Sequence, residues 1–225
     1  MSEPDLGAIR LQWWRDALDK AATGEITGHP VADAVAALIA RRDLSREPID
    51  AMVDARSFDI ATKIMPDWPS LETYINDTAG ALFALSAECL GARAPSVERA
   101  AAQAGLAYGL TGLMRALPAH AARGRVMLPA AALRAHKTSP EAVLAGKPSE
   151  GLRAALAELR AGANTALDEA RRAIAEFDPR VQTAFLPLGL VEPYLAALAK
   201  TRDPLHDIAG INPLHRFWRL ATWRA

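Results

Sequence analysis

The sequence has almost no cysteine and no net charge. One cysteine, Cys89, among 225 residues excludes a disulfide within the chain and a zinc site built from cysteines. The 26 basic and 26 acidic side chains balance, whereas proteins that bind nucleic acids carry a basic excess that neutralises phosphates. We therefore expect no nucleic-acid partner, and we interpret Cys89 as a small buried hydrophobe.

Long apolar runs and targeting signals are also missing. No uninterrupted apolar run reaches the roughly 18 residues that a membrane-spanning helix needs. The N-terminal residues MSEPDLGAIRLQWW lack a basic region followed by an apolar core, so no secretory signal is expected. The sequence predicts a cytoplasmic protein and leaves peripheral contact with a membrane open.

Helical periodicity runs through nearly the whole chain, and β-type alternation is not found. We therefore predict an all-α fold in a single domain over residues 1–225. Short helical pieces are expected between residues 130 and 148. The longer helices predicted from apolar spacing, caps and breakers run from a Ser2 cap to about Gly24, over Val31–Arg41, from Ser45 to about Lys63, from Asp67 to Leu90 with Gly91 as C-cap, over Ser96–Leu117, from Ser149 to Asp178, over Val181–Lys200 and over Leu214–Trp223.

The segment over residues 105–129 reads GLAYGLTGLMRALPAHAARGRVMLP. It resembles the squalene and phytoene synthases, in which a helix G-x-A-x-Q-L-T-N-I-x-R-D-x-x-x-D leads into a turn R-G-R-x-Y-L-P. The resemblance implies a helical bundle of the isoprenoid synthase type. For an active member it also implies the Mg²⁺-dependent condensation of two prenyl diphosphates. The matching residues are Gly105, Ala107, Leu110, Thr111, Arg115, Arg123, Gly124, Arg125, Leu128 and Pro129.

The two aspartate positions of that motif carry Ala116 and His120 instead, and its glutamine and asparagine positions carry Gly109 and Gly112. An alanine methyl group offers no lone pair, and histidine prefers softer metals than Mg²⁺, which requires oxygen ligands. We therefore expect no catalytic residue at these positions and no cofactor.

Further segments keep the order and spacing of the same family. The stretch RLQWWRDAL over residues 10–18 resembles its R-x-x-L-x-x-W-R-x-E-L helix, Tyr74 with Ala79-Gly80 resembles its Y-x-x-x-V-A-G helix, and Asp59 matches a common aspartate. The opening SEP-x-L-G-x-x-R-L-Q-W-W-R is closer to a non-synthase branch that includes mitochondrial complex I assembly factors and their bacterial relatives. This resemblance implies a binding or assembly protein.

Arginine and tyrosine side chains are the candidates for a binding site. Because guanidinium groups suit phosphates, Arg115, Arg123 and Arg125 are candidates for an anion-binding rim. Tyr74 and Tyr108 are further candidates for contact with a substrate or anion. The alternative is a structural arginine network around the Arg-Gly-Arg turn.

An active prenyl transferase in isoprenoid biosynthesis is the runner-up hypothesis. In that case Asp54 and Asp59, or residues upstream of Met1, would supply the Mg²⁺ ligands. This hypothesis requires both carboxylates to face a common cavity.

The resemblance also bears on partners. The family's first aspartate-rich helix lies upstream of the Arg10 segment, so the chain is expected to be N-terminally truncated relative to the family. We expect the exposed N-terminal apolar face to be covered by a protein partner or by a homo-oligomer. Small side chains at residues 101–104 and 109–112 would leave room for a prenyl or other lipid ligand.

The C-terminal segment INPLHRFWRLATWRA places Leu214, Phe217, Trp218 and Ala221 on one helical stripe. Two interpretations stay open for it. The last helix either docks its apolar stripe on the bundle or rests on a membrane or a partner.

Overall fold

The computed structural model describes residues 3–61 and 64–224, and helices form its regular structure. The all-α prediction is confirmed. Within the described residues the only β-type pairing is an isolated parallel bridge between Ile64 and Val126. The predicted Ser2 cap lies outside the described residues. In chain order the helices are α1 (Glu3–Ala22), α2 (Pro30–Arg42), α3 (Glu47–Ala61), α4 (Trp68–Ile75), a π-helical segment (Asn76–Gly80), α5 (Ala81–Cys89), α6 (Pro95–Arg115), α7 (Leu117–Ala122), α8 (Ala130–Ala135), α9 (Pro140–Leu144), α10 (Glu150–Ile174), α11 (Pro179–Gln182), a 3₁₀ segment (Thr183–Leu190), α12 (Val191–Lys200) and α13 (Pro213–Thr222).

Helix α6 is the centre of the bundle. It packs against α4, the π-helical segment, α5, α10, the 3₁₀ segment and α12. Its longest partner, α10, spans 25 residues and is capped by Ser149, whose hydroxyl accepts a hydrogen bond from the Leu152 N–H. The facing surfaces of α6 and α10 are rich in alanine, which lets the two helix axes approach closely. The buried residues on α6 are Val97, Ala100, Ala101, Ala104, Gly105, Ala107, Leu110, Thr111 and Met114.

Two glycines mark a close helix contact in the core. A Cβ atom added at Gly105 would lie 2.5 Å from both the Cα and the N of Gly80. Four residues further along α6, a Cβ atom at Gly109 would lie 2.8 Å from the Ile75 side chain. The backbones of α6 and the π-helical segment therefore meet at a distance that only glycine permits.

The stretch from Asp67 to Leu90 differs from the single helix that the sequence predicts. Asp67 is the N-cap, as predicted, and its carboxylate accepts a hydrogen bond from the Ser70 N–H at 3.0 Å. The π-helical segment then separates α4 from α5, and Gly80, its last residue, lies against Gly105. Gly91 follows the end of α5 with φ of 92°, which agrees with its predicted capping role.

The predicted helix Val181–Lys200 is also divided. Pro187 lies in the 3₁₀ segment, because proline removes a backbone donor and disfavours continuous α-helix. By length and composition, residues 179–200 could cross a membrane, with a mean hydropathy of 1.3 in the most apolar window. One such stretch is weak evidence, since core helices of soluble proteins pass the same test. Phe185, Leu188 and Val191 of this stretch belong to the main hydrophobic core.

The small side chains of α6 serve helix packing. Ala101 and Ala104 are buried in the core, and Gly109 lies against Ile75. Gly112 differs, because a Cβ atom added there would meet nothing within 4 Å.

The two glycines Gly105 and Gly112 give a matched test of this packing. We expect Gly105→Ala to lower the free energy of unfolding by about 1–3 kcal/mol, because the new methyl group overlaps the Gly80 backbone. Gly112→Ala, on the same helix but in open space, should be neutral or stabilising by up to about 1 kcal/mol through helix propensity. Urea denaturation followed by circular dichroism measures both. Equal effects of the two substitutions would contradict the proposed packing constraint.

Candidate functional site

The Arg-Gly-Arg turn at residues 123–125 ends α7 with a Schellman motif. The Arg125 N–H donates to the His120 carbonyl at 2.9 Å, and the Gly124 N–H donates to the Ala121 carbonyl at 2.9 Å. Gly124 has φ of 71°, a left-handed conformation that glycine adopts without strain. The glycine of this turn therefore has a structural role, and it sends the following residues back along the bundle.

Backbone hydrogen bonds join the residues after this turn to the chain that follows α3. The Met65 N–H donates to the Val126 carbonyl at 2.8 Å, and the Ala130 N–H donates to the Met65 carbonyl at 2.9 Å. The Arg125 side chain then reaches Asp59 on α3, with 3.1 Å between guanidinium nitrogen and carboxylate oxygen. This partly buried ion pair joins residues that are 66 positions apart in the sequence.

Asp59 is the centre of a hydrogen-bonded cluster. Besides the bond from Arg125, its carboxylate accepts one from the Tyr74 hydroxyl at 3.0 Å and one from Arg56 at 3.2 Å. Arg56 also donates to the Tyr74 hydroxyl oxygen at 3.0 Å. Burial, followed by the charge of Asp59, raises the pKa of Tyr74 to about 12. We call Arg56, Asp59, Tyr74 and Arg125 the Asp59 cluster.

His120 lies beside the Asp59 cluster with a neutral imidazole. Burial, followed by the nearby charge of Arg125, lowers the pKa of its ring. Its Nδ1 atom is buried and has no hydrogen-bond partner among the described residues. The position that resembles a metal-binding aspartate therefore holds an uncharged ring next to an arginine.

The five predicted binding residues do not gather in one place. Tyr74 and Arg125 meet in the Asp59 cluster, and Arg123 is exposed at the adjacent turn. Arg115 turns toward α12, where its guanidinium carbon lies 3.5 Å from the centre of the Tyr194 ring. Tyr108 is 42% exposed and contacts the edge of the Phe83 ring.

Arg115 also contacts the C-terminal region through a hydrogen bond. Its Nε–H donates to the carbonyl of Ala209 at 3.3 Å, a residue 94 positions away. Together with the ring of Tyr194, this contact ties the end of α6 to α12 and to the chain that follows it. The structure thus gives Arg115 a bracing role away from the Asp59 cluster.

Asp54, the second carboxylate of the runner-up hypothesis, is held apart from Asp59. Arg15 on α1 binds it through both Nε and Nη2, at 2.8 and 2.7 Å. Asp54 lines a surface groove of about 430 Å³ with Asp77, whose pKa is raised by burial. Among the described residues there is no group of three or more histidine, cysteine, aspartate or glutamate side chains that could hold a metal ion.

Sequence reasoning missed Arg56, which bridges two members of the cluster. The available signal was its spacing, because Arg56 and Asp59 are three residues apart and so lie on one face of α3. The contact of Arg56 with Tyr74 could not be found in this way, since it joins two different helices.

Comparison with known proteins gives the family. The family model described as squalene/phytoene synthase matches residues 1–222. The chain belongs to the squalene/phytoene synthase family. Among its relatives are proteins named NADH dehydrogenase (ubiquinone) complex I, assembly factor 6. The rat protein is 27% identical over 200 residues, which cover 89% of this chain and 60% of the relative. The human protein is 26% identical and covers all of this chain and 68% of the relative. The chain thus spans about 60% of the rat protein's length.

Two solved structures with the same fold are named as a squalene synthase and a dehydrosqualene synthase. Squalene synthase HpnC from Alicyclobacillus acidocaldarius superposes with a TM-score of 0.77 at 24% identity, covering 84% of this chain and 72% of that one. A dehydrosqualene synthase in complex with ligand superposes with a TM-score of 0.82 at 18% identity. The match covers 97% of this chain and 78% of that one. At these identities the likeness establishes the isoprenoid synthase fold, and the chemistry has to be argued from the residues present.

The residues near the family's second aspartate motif do not fit a magnesium–diphosphate centre. Mg²⁺ requires several oxygen ligands in near-octahedral geometry. Here Ala116 contributes a methyl group, His120 a neutral ring, and Asp59 a carboxylate already bound by two arginines and Tyr74. The surrounding charge is cationic, which repels a divalent cation.

The raised pKa of Tyr74 gives a test of the cluster. Because its folded pKa of about 12 exceeds the ordinary value of 10.0, the bound proton stabilises the fold below pH ~10, and this stabilisation is lost as the pH rises through 12. We expect Tyr74 to give an ionisation step near pH 12 in an alkaline titration followed by tyrosinate absorbance. Tyr74→Phe should remove this late step, and the control Tyr108→Phe should keep it. Absence of this step in the wild type, or its persistence in Tyr74→Phe, would contradict the cluster.

Proposed function

We propose that this protein is a non-catalytic member of the squalene/phytoene synthase family that acts as a binding or assembly factor. The proposal rests on the hydrogen bonds and ion pairs that already engage the Asp59 carboxylate. It is the family-matched carboxylate nearest to His120, and Arg56, Arg125 and Tyr74 all donate to it. A carboxylate neutralised in this way is a weak candidate for a metal ligand.

The named function of the relatives supports an assembly role. Those relatives are called complex I assembly factors, and their matches cover 87–100% of this chain. We infer that the chain contributes to the assembly of an NADH:ubiquinone oxidoreductase in its own host. Such a role needs a protein partner and no bound cofactor. A cytoplasmic location stays a prediction, and an assembly role implies contact with a membrane-bound complex.

Two surfaces are available for partners in this account. The exposed side of α1 carries Leu6, Ile9 and Trp13, of which Ile9 is 55% exposed. Arg123 beside the Asp59 cluster is exposed and has no ion-pair partner among the described residues, so it could receive an anionic group. A bound prenyl or other lipid ligand and a homo-oligomer both stay predictions.

The runner-up, an active prenyl transferase, needs Asp54 and Asp59 to share a metal ion. Each carboxylate is instead bound by arginine, Asp54 by Arg15 and Asp59 by Arg56 and Arg125. To bind Mg²⁺, both aspartates would have to release these partners. The non-catalytic function is therefore favoured over the runner-up.

Restoring the two aspartates should not restore the metal centre. We expect Ala116→Asp with His120→Asp to show no Mg²⁺-dependent binding of a prenyl diphosphate analogue in isothermal titration. Two carboxylates four residues apart leave most of the octahedral shell to water, and they repel one another by a few tenths of a kcal/mol. The control Ala116→Asn with His120→Asn has the same shape without the charge. Tight binding that requires both metal and the aspartates would contradict the account.

Deletion of the gene in its host tests the assembly role. We expect less assembled complex I, while squalene and carotenoid content stays unchanged. The wild-type gene should restore complex I, and a catalytically active squalene synthase should not. Unchanged complex I, or loss of an isoprenoid product that only this gene restores, would overturn the proposal.

A further inference from the structure

Helix α13 exposes its apolar stripe instead of docking it. Leu214 is 80% exposed, Phe217 74% and Trp218 55%, and no residue of Pro213–Thr222 is buried. The three side chains recur at spacings of three and four residues and so lie on one face. Of the two interpretations left open by the sequence, docking of this stripe on the bundle is wrong.

The opposite side of α13 is attached to the bundle by Arg219. Its Nε–H donates to the Gly189 carbonyl at 3.0 Å, and its Nη2 lies 2.6 Å from the Glu192 carboxylate. Arg171 binds the other oxygen of Glu192 at 2.8 Å, and these hydrogen bonds lower the pKa of Glu192 to about 2. Because this ion-paired arginine faces inward, the apolar stripe must face outward.

A second anchor follows the helix. Trp223 is buried, and a Cβ atom added at Gly189 would lie 2.8 Å from its indole ring. The glycine thus leaves the space that the tryptophan fills. Arg219 within the last turn of α13 and Trp223 directly after the helix together fix its orientation. The outward position of Phe217 and Trp218 is therefore built into the fold.

The segment that carries the stripe is basic and contains no acidic residue. Between residues 208 and 224 there are three arginines and one histidine, and neither aspartate nor glutamate. Arg216 and Arg224 are exposed and have no ion-pair partner among the described residues. Ile208, 69% exposed, adds a further apolar side chain at the start of this segment. The two carboxylates before this segment accept local hydrogen bonds, Asp203 from the Leu205 N–H and Asp207 from the Asp203 N–H, and Asp203 also pairs with His206.

We propose that α13 is an interfacial helix that docks this protein on an anionic phospholipid surface. Leu214, Phe217 and Trp218 enter the boundary between headgroups and acyl chains, where tryptophan is favoured. Arg216 and Arg224 lie among the phosphates of the headgroups. The inference stands on the geometry of α13 and does not depend on the assembly role.

Charge distinguishes a lipid surface from a second copy of the chain. A symmetric dimer through this face would bring two copies of the same basic segment together, with no acidic side chain of residues 208–224 to pair with the arginines. Like charges across an interface oppose association. An anionic bilayer offers the complementary charge to the arginines and an apolar phase to the stripe.

Vesicle flotation of the purified full chain tests the proposal. Vesicles of phosphatidylcholine alone are compared with vesicles of phosphatidylcholine and phosphatidylglycerol. We expect binding to the anionic vesicles that weakens with added salt, as binding through arginines should. Comparable binding to both compositions, or no binding to either, would overturn the proposal.

Matched variants then locate the contact. Leu214→Ser with Phe217→Ser should weaken the partition onto anionic vesicles by about tenfold or more, because two apolar side chains no longer enter the bilayer. The control Ile26→Ser with Val31→Ser removes two exposed apolar side chains from another surface, where Ile26 is 87% and Val31 56% exposed. This control should bind like the wild type, and an equal loss in the control would overturn the assignment to α13.

Light scattering of the same proteins tests the alternative that a second copy of the chain covers the apolar stripe. We expect the oligomeric state to be the same for the wild type and for Leu214→Ser with Phe217→Ser. A wild-type dimer that this double substitution dissociates, with no vesicle binding, would show that the stripe is a contact between copies. Circular dichroism confirms that each variant is folded, and Arg219 is left unchanged because it anchors the helix.

Discussion

The contact between Gly80 and Gly105 is the constraint on which the rest of the bundle depends. A side chain at position 105 would overlap the Gly80 backbone, so the π-helical segment and α6 can approach this closely only with glycine at that position. This approach fixes α4 and α5 on either side of the segment against the central helix. Tyr74 on α4 and the Arg-Gly-Arg turn that ends α7 are thereby held at the same end of the bundle, where Asp59 joins them.

A fold can be retained while its chemistry is replaced. The glycines, Arg115 and the Arg-Gly-Arg turn keep the family's architecture, and each has a structural role that requires no substrate. Where a metal centre would need several carboxylates, the chain has a neutral His120 and an aspartate bound by two arginines. The residues that hold the helical scaffold are therefore different from those that the reaction would need.

The sequence predicted what depends on neighbouring residues. The Asp67 cap, the Ser149 cap of α10 and Gly91 after the end of α5 follow from local backbone requirements. Contacts between residues that are distant in the sequence could not be predicted in this way. Arg115 was expected near Arg125, but it stacks on Tyr194 instead, because α12 happens to pack at the end of α6. The orientation of α13 likewise depends on Glu192 and Gly189, which no periodicity in α13 itself encodes.

Release of pyrophosphate tests the central claim most directly. Purified protein would be incubated with Mg²⁺ and farnesyl or geranylgeranyl diphosphate, with an active squalene synthase as the positive control. The account predicts no pyrophosphate above a protein-free blank at any magnesium concentration, because Asp59 is engaged by Arg56, Arg125 and Tyr74. Metal-dependent release above the blank would contradict it and would show that the family's reaction survives without its second aspartate motif.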